Sequence, residues 1–186
     1  VRLRQNYVAL VGDLSKMYNS VKLSVEDQHV HRFWWRDLDT NKEPDHRILC
    51  KVPFGDRPSG QMVIVAMRNT ADMHEETKPE SAQFIKRDSY IDDLMGSFQD
   101  REEARRMMME TEEILKDGGL FVKEWVISGN DQDIKDISKL VSRDTQKVLG
   151  LIWKPKEDVF IYSICLTFGR KGPTMKETQN SKSELD

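Results

Sequence analysis

Cysteine is nearly absent from this chain. Two residues in 186, Cys50 and Cys165, lie far apart and match no metal-ligand spacing. That pattern excludes a disulfide-stapled secreted fold and reads as two reduced core thiols of an intracellular, cytoplasmic protein. Long apolar runs are also missing. The longest, "YVALV" and "MVIVAM", fall far short of the roughly 18 residues that cross a bilayer, so no membrane partner is expected. The opening "VRLRQNYVALVGD" has no apolar core of the signal-peptide kind. A strong charge bias is lacking too. The net charge of −3 gives no global attraction to a polyanion, so any nucleic-acid surface is local or lies outside this chain. The four histidines, His29, His31, His46 and His74, form no ligand set. No internal repeat is present.

What is present suffices for one ordinary domain, with 38% apolar and 33% charged residues. The chain opens on Val1 and enters a strand-like run almost at once, which reads as a piece of a longer protein. "NYVALVGD" (6–13) predicts a buried strand ended by Gly12-Asp13, and "LSKMYNSV" a turn or short helix. "VHRFWWRDL" (30–38) and "HRILCKVPF" (46–54), joined by "NKEPD", predict a hairpin. From Gln61 to about His74 the spacing of Met62, Val65, Ala66, Asn69 and Met73 predicts a helix with that face inward. Pro79 opens a second helix through about Lys86, and "DSYIDDLMGSF" (88–98) reads as a tight hairpin. "DREEARRMMMETEEILKDGG" (100–119) is the clearest helix, capped by Asp100 and ended by Gly118-Gly119. Its inward stripe is Ala104, Met107, Met108, Thr111, Ile114 and Leu115. "LFVKEWVIS" (120–128) predicts a strand and "DQDIKDISKLV" (131–141) a short helix. "QKVLGLIW" (146–153) and "DVFIYSICL" (158–166) predict two more strands, and the tail from 170 to 186 a polar linker. Strands and helices mix without strict alternation. The expectation is α+β: a mostly antiparallel sheet with helices packed on one face.

One stretch stands out chemically. In "RDSYIDDLMGS" (87–97), Asp92 and Asp93 sit side by side between apolar neighbours. Two like charges there repel and risk desolvation. Asp tolerates turn geometry, so the pair could be a plain turn, and Asp13 at its strand end could be a plain helix cap. If the two strands are neighbours, however, Asp13 and Asp92 converge. Carboxylates in one cleft make a hard oxygen site suited to Mg²⁺, and two such ions serve phosphoryl transfer. A metal would also remove the like-charge penalty.

Several motifs occur in a recognisable order. "VGDLSKMYNSV" resembles the first palm motif of reverse transcriptases, "VPFGDRPSG" the second, and "YIDD" the Tyr-x-Asp-Asp box. "ILKDGGLFVKEW" resembles the fourth, and "VLGLIWKPKEDVFIY" the hairpin that follows. Asp13-Leu14-Ser15-Lys16-Met17-Tyr18, Arg32-Phe33-Trp34-Trp35-Arg36, Phe54-Gly55, Gly118-Gly119-Leu120 through Trp125, and Leu149-Gly150-Leu151-Ile152-Trp153 are similar to motifs of BEL/Pao-type long-terminal-repeat retrotransposons. The resemblance covers about residues 5–165.

The resemblance implies a polymerase palm over residues 1–166, with a fingers contribution about 30–58, and a polar tail over 167–186 leading toward thumb and connection segments. It implies an RNA-directed DNA polymerase that uses two Mg²⁺ (or Mn²⁺), with an RNA or DNA template, a primer and a deoxynucleoside triphosphate as partners. Protease, RNase H and integrase domains of a polyprotein would lie elsewhere. Asp13, Asp92 and Asp93 would be catalytic metal ligands, joined by the carbonyl of Leu14. Tyr18 would be the steric gate against a ribose 2′-OH, with Phe54 and Gly55 beneath the incoming nucleotide. Tyr90 and Ile91 would face the primer end, and Ser59 the template. Lys123 would be the general acid toward pyrophosphate. Three departures stand out. Aligned on Trp125, the family's Lys position holds Glu124, and Lys123 comes one residue early, which in a regular strand is the opposite face. Ser59-Gly60 replaces Ser-Pro. The upstream fingers segment, which supplies basic residues to grip the triphosphate, precedes the first motif in the family. This stretch alone is therefore expected to be inactive. A catalytically inactive relic, keeping the palm fold as a nucleic-acid or protein binding module, is the alternative.

Overall fold

The apolar run near the N-terminus becomes β1 (Val8–Ser15) of a computed structural model that describes residues 2–129 and 139–161. β1 lies inside a four-stranded sheet. Its members are β4 (Ser89–Tyr90), β5 (Asp93–Phe98), β1 and β6 (Phe121–Ile127), in that order, and every pairing is antiparallel. The run is apolar without alternation because both of its faces are covered. Val8, Leu10 and Leu14 join a core with the helices. Ala9 and Val11 join a second core on the opposite face.

The helical layer holds α3 (Ser59–Asp72), α4 (Pro79–Arg87) and α5 (Arg101–Asp117), after two single-turn helices, α1 (Met17–Ser20) and α2 (Val25–Gln28). α5 starts where its cap requires: the Asp100 carboxylate accepts the Glu103 backbone N–H at 2.8 Å. All six residues of its expected stripe are buried. The second core is closed by Leu3 and by Val148 and Trp153. The last two come from a small antiparallel sheet of β7 (Gln146–Val148), β8 (Leu151–Lys154) and β9 (Val159–Ile161). β2 (Arg32–Trp35) and β3 (Asp45–Ile48) form a separate two-stranded ribbon, with all four β2 side chains exposed. The fold is α+β, with antiparallel sheets and several helices. No described helix is long and apolar enough to cross a membrane.

Five expectations change. β1 does not end at Asp13 but runs to Ser15, so Asp13 lies inside the sheet. α3 buries Ser59, Val63, Met67, Thr70 and Ala71 and leaves Val65 and Met73 exposed. Apolar residues surround this helix, so periodicity cannot choose its inner face. Close approach does: a Cβ on Gly118, just past α5, would lie 2.3 Å from Thr70 Oγ1. "QKVLGLIW" is a hairpin rather than one strand. Leu149 (φ 48°) and Gly150 (φ 83°) are both left-handed, as a two-residue hairpin turn requires. Cys50 is exposed, beyond the end of β3, and is not a core thiol. In the expected 131–141 helix, the described residues Leu140 and Val141 run along β6 as an isolated bridge partner and its neighbour. Lys139, just before them, accepts the Trp125 N–H on its carbonyl, while residues 131–138, Cys165 and the polar tail lie outside the described residues.

Candidate active site

The hairpin "YIDD" is a two-residue turn, Ile91-Asp92, between paired Tyr90 and Asp93. Ile91 has φ 54°, a left-handed backbone that a β-branched residue adopts only under strain. Two neighbours hold it there. The Met95 N–H donates to the Asp88 carbonyl at 2.8 Å, and the Leu14 N–H donates to the Asp92 carbonyl at 2.9 Å. Ile91→Asn, which tolerates the left-handed region, is expected to raise folding stability by about 1 kcal/mol in urea unfolding. An unchanged midpoint would show that the turn stores no such strain.

The same stitching sets the register. Asp13 on β1 faces Asp93 on β5, and strand alternation places both on the sheet face away from the helices, with Ala9, Val11 and Met95. Asp92 is exposed at the turn, next to them. Asp93 is half-buried, and its carboxyl is pushed up to about 6, first by burial and then by the charges of Asp92 and Asp13.

β6 completes the site through a bulge. Asp13 pairs with Glu124, but Leu14 pairs with Val122, so Lys123 is the extra residue. The cause is packing. Val122 and Trp125 both belong to the helix-side core. Residues three apart in a regular strand point to opposite faces. The bulge that reconciles them turns Lys123 toward Asp13, not away from it, which corrects the regular-strand expectation. Lys123 Nζ lies 3.1 Å from Asp13 Oδ2 and 3.6 Å from Glu124 Oε1. The bond to Asp13 raises the lysine's pKa. Glu124 in turn accepts from Arg143 Nη2 at 2.5 Å, which holds its carboxyl below the usual range. Arg143 carries no sequence signal as a site residue, and Glu124 stands out only as a departure at the family's Lys position, because a bulge leaves no local signature.

Behind the strand, Trp125 packs on Gly12. A Cβ there would lie 2.4 Å from Trp125 Cζ3, and the indole N–H donates to Glu112 at 2.8 Å. The residue before Asp13 is thus pinned by a buried ring.

A second group gathers at the start of α3. Tyr18, half-buried on α1, meets Phe54 edge-on at 5.3 Å between ring centres. Phe54 is 85% exposed, and Gly55 follows at φ 103°, a conformation suited to glycine. A Cβ at Gly60 would lie 3.7 Å from the Tyr18 hydroxyl, so the helix start flanks this ring. Tyr90 and Ile91 are exposed at the hairpin. Ser59 is not: it is 2% exposed, with its hydroxyl unpartnered, so it presents no surface to a template.

By donor chemistry the carboxylates fit a hard divalent cation. Asp13, Asp92 and Asp93 supply acidic oxygens near enough for the first two to raise the third. They are not drawn into one coordination sphere. Among the described residues no group of three or more His, Cys, Asp or Glu is arranged to hold a metal ion. Asp13 Oδ2 is directed at Lys123 instead.

No family model and no curated protein matches the chain. Among solved structures it is similar to the foamy viral protease-reverse transcriptase in complex with an RNA/DNA hybrid. The TM-score is 0.54 at 16% identity, over 83% of this chain and 17% of that one. At that identity the likeness shows the fold, which is of the reverse-transcriptase palm kind. The chain spans about a sixth of that protein's length.

Proposed function

We propose that this chain is the palm of an RNA-directed DNA polymerase from a BEL/Pao-type long-terminal-repeat retroelement, over residues 1–166 with a fingers contribution about 30–58. The observation that carries the reading is the register of Asp13 against Asp93, beside a strained turn that presents Asp92. Asp13, Asp92, Asp93 and the Leu14 carbonyl would hold two Mg²⁺ or Mn²⁺. Such ions, when bound, make a primer 3′-OH a better nucleophile toward the α-phosphate and stabilise departing pyrophosphate. The chain's own residues position the reactants. The Tyr18 ring, met edge-on by Phe54, would be the wall against which a ribose 2′-OH clashes. Tyr90 and Ile91 offer exposed surface to the primer end. The partners are a primed RNA or DNA template and a deoxynucleoside triphosphate.

In the polymerase translated from the complete open reading frame, Asp92→Asn is expected to cut primer extension by roughly a thousandfold or more. Its fold should persist, because Asp92 is exposed. Full activity in the variant would end the assignment. The relic reading draws on the departures at Glu124 and Gly60. Primer extension by the unaltered protein would exclude it, and stop codons on both sides of this segment in the locus would favour it.

A further inference from the structure

Lys123 occupies a position that the bulge creates, and its ammonium donates to the carboxylate oxygen of Asp13 nearest to it. Glu124, also within reach, is already clasped by Arg143, so the stronger claim on Lys123 is that of Asp13. Asp13 is part of an acidic cluster: Asp93 faces it across the strand pair, and Asp92 is the next residue along. An ammonium in that place offsets charge that would otherwise be uncompensated. The lysine side chain is 57% exposed. It can therefore swing into solvent without opening the core, and an exposed pair is weak enough to exchange.

We propose that Lys123 is a resident counter-cation of the carboxylate cluster, which holds Asp13 when no divalent ion is bound and is displaced when one binds. This inference rests on the metal-site reading above. A divalent ion on Asp13 and an ammonium bonded to the same carboxylate repel at about 3–4 Å, so the two states exclude one another. The arrangement makes Lys123 a positioning residue that sets metal affinity, separate from any role in proton transfer.

The test is Mn²⁺ binding to the chain at pH 8, followed by the electron paramagnetic resonance of free Mn²⁺ and by calorimetry. Lys123→Gln keeps the length and removes the charge, and is expected to bind Mn²⁺ roughly three- to tenfold more tightly. Lys123→Arg should bind as the unaltered chain does. Equal or weaker binding by Lys123→Gln, with native circular dichroism, overturns the inference and leaves the metal site standing. Absence of Mn²⁺ binding in both the unaltered chain and Lys123→Gln overturns the metal reading, and the inference with it. Asp13→Asn removes the shared carboxylate and is expected to abolish both the binding and its dependence on residue 123. If the dependence survives in Asp13→Asn, Lys123 acts elsewhere and the inference falls.

Discussion

Asp93→Asn is expected to stabilise the fold by about 1–2 kcal/mol at pH 8 and, on the proposed function, to reduce primer extension to background in the polymerase translated from the complete open reading frame. The structure leaves this carboxyl half-buried beside two like charges, and its pKa rises from 3.8 to about 6. In the unfolded chain it titrates at the ordinary value. Between about pH 4 and 6 the folded state therefore binds the proton that the unfolded state has released, so stability falls as pH rises through that window. Above it the full penalty is present; below it the penalty vanishes. A shift of this size corresponds to roughly 3 kcal/mol at one pKa unit per 1.36 kcal/mol. Solvent screening at a half-open site reduces it to the smaller figure. Asn keeps the shape and removes the charge. Urea unfolding of both proteins at pH 8 and pH 4 should show a gap that closes in acid. A variant less stable than its parent at pH 8 would mean that the ionised carboxylate is compensated by a partner. Added Mg²⁺ should stabilise the parent and not the variant, because only the folded, ionised cluster would bind it.

The parts legible in the sequence are those where several local signals agree. α5 has a cap, a stripe of the right period and a glycine stop, and each marks the same helix. The Asp hairpin is legible because "YIDD" combines a turn-tolerant pair with apolar arms. The expected convergence of Asp13 and Asp92 needs one non-local assumption, that their strands are neighbours; the pairing supplies it but sets Asp93, one residue along, opposite Asp13. The rest is decided by packing between elements distant in sequence. α3 is apolar on too many sides for period to choose a face, and Thr70 against Gly118 chooses it. Lys123 looks misplaced by one residue because alternation assumes a regular strand. Val122 and Trp125 both need the helix-side core, and that demand creates the bulge. Cys50 follows composition into the core on paper, but lies in an open segment past β3.

The largest structural effect is expected at Gly12 and Trp125, the pair that fixes β1 beside Asp13. Gly12 has no side chain because the indole occupies that space, with three ring atoms within 3.0 Å of where a Cβ would stand. Trp125 is fully buried and spends its one donor on Glu112, which Lys139 also holds at 2.7 Å. Neither ring nor strand can shift without opening the core, so Gly12→Ala should cost about 2–3 kcal/mol by overpacking. Trp125→Leu should cost about 3–4 kcal/mol, from the cavity and the lost indole bond. Made together, the methyl enters space the ring has left. The double variant should then be more stable than the sum of the two losses implies, by about 1 kcal/mol or more. A double-mutant cycle in urea reads this directly. Additive losses would mean that the ring does not bear on Gly12. Coupling would tie the position of a candidate metal ligand to a buried ring on the neighbouring strand. On that footing Gly12→Ala should also weaken Mn²⁺ binding in the fraction that remains folded, because Asp13 is the next residue along the displaced strand.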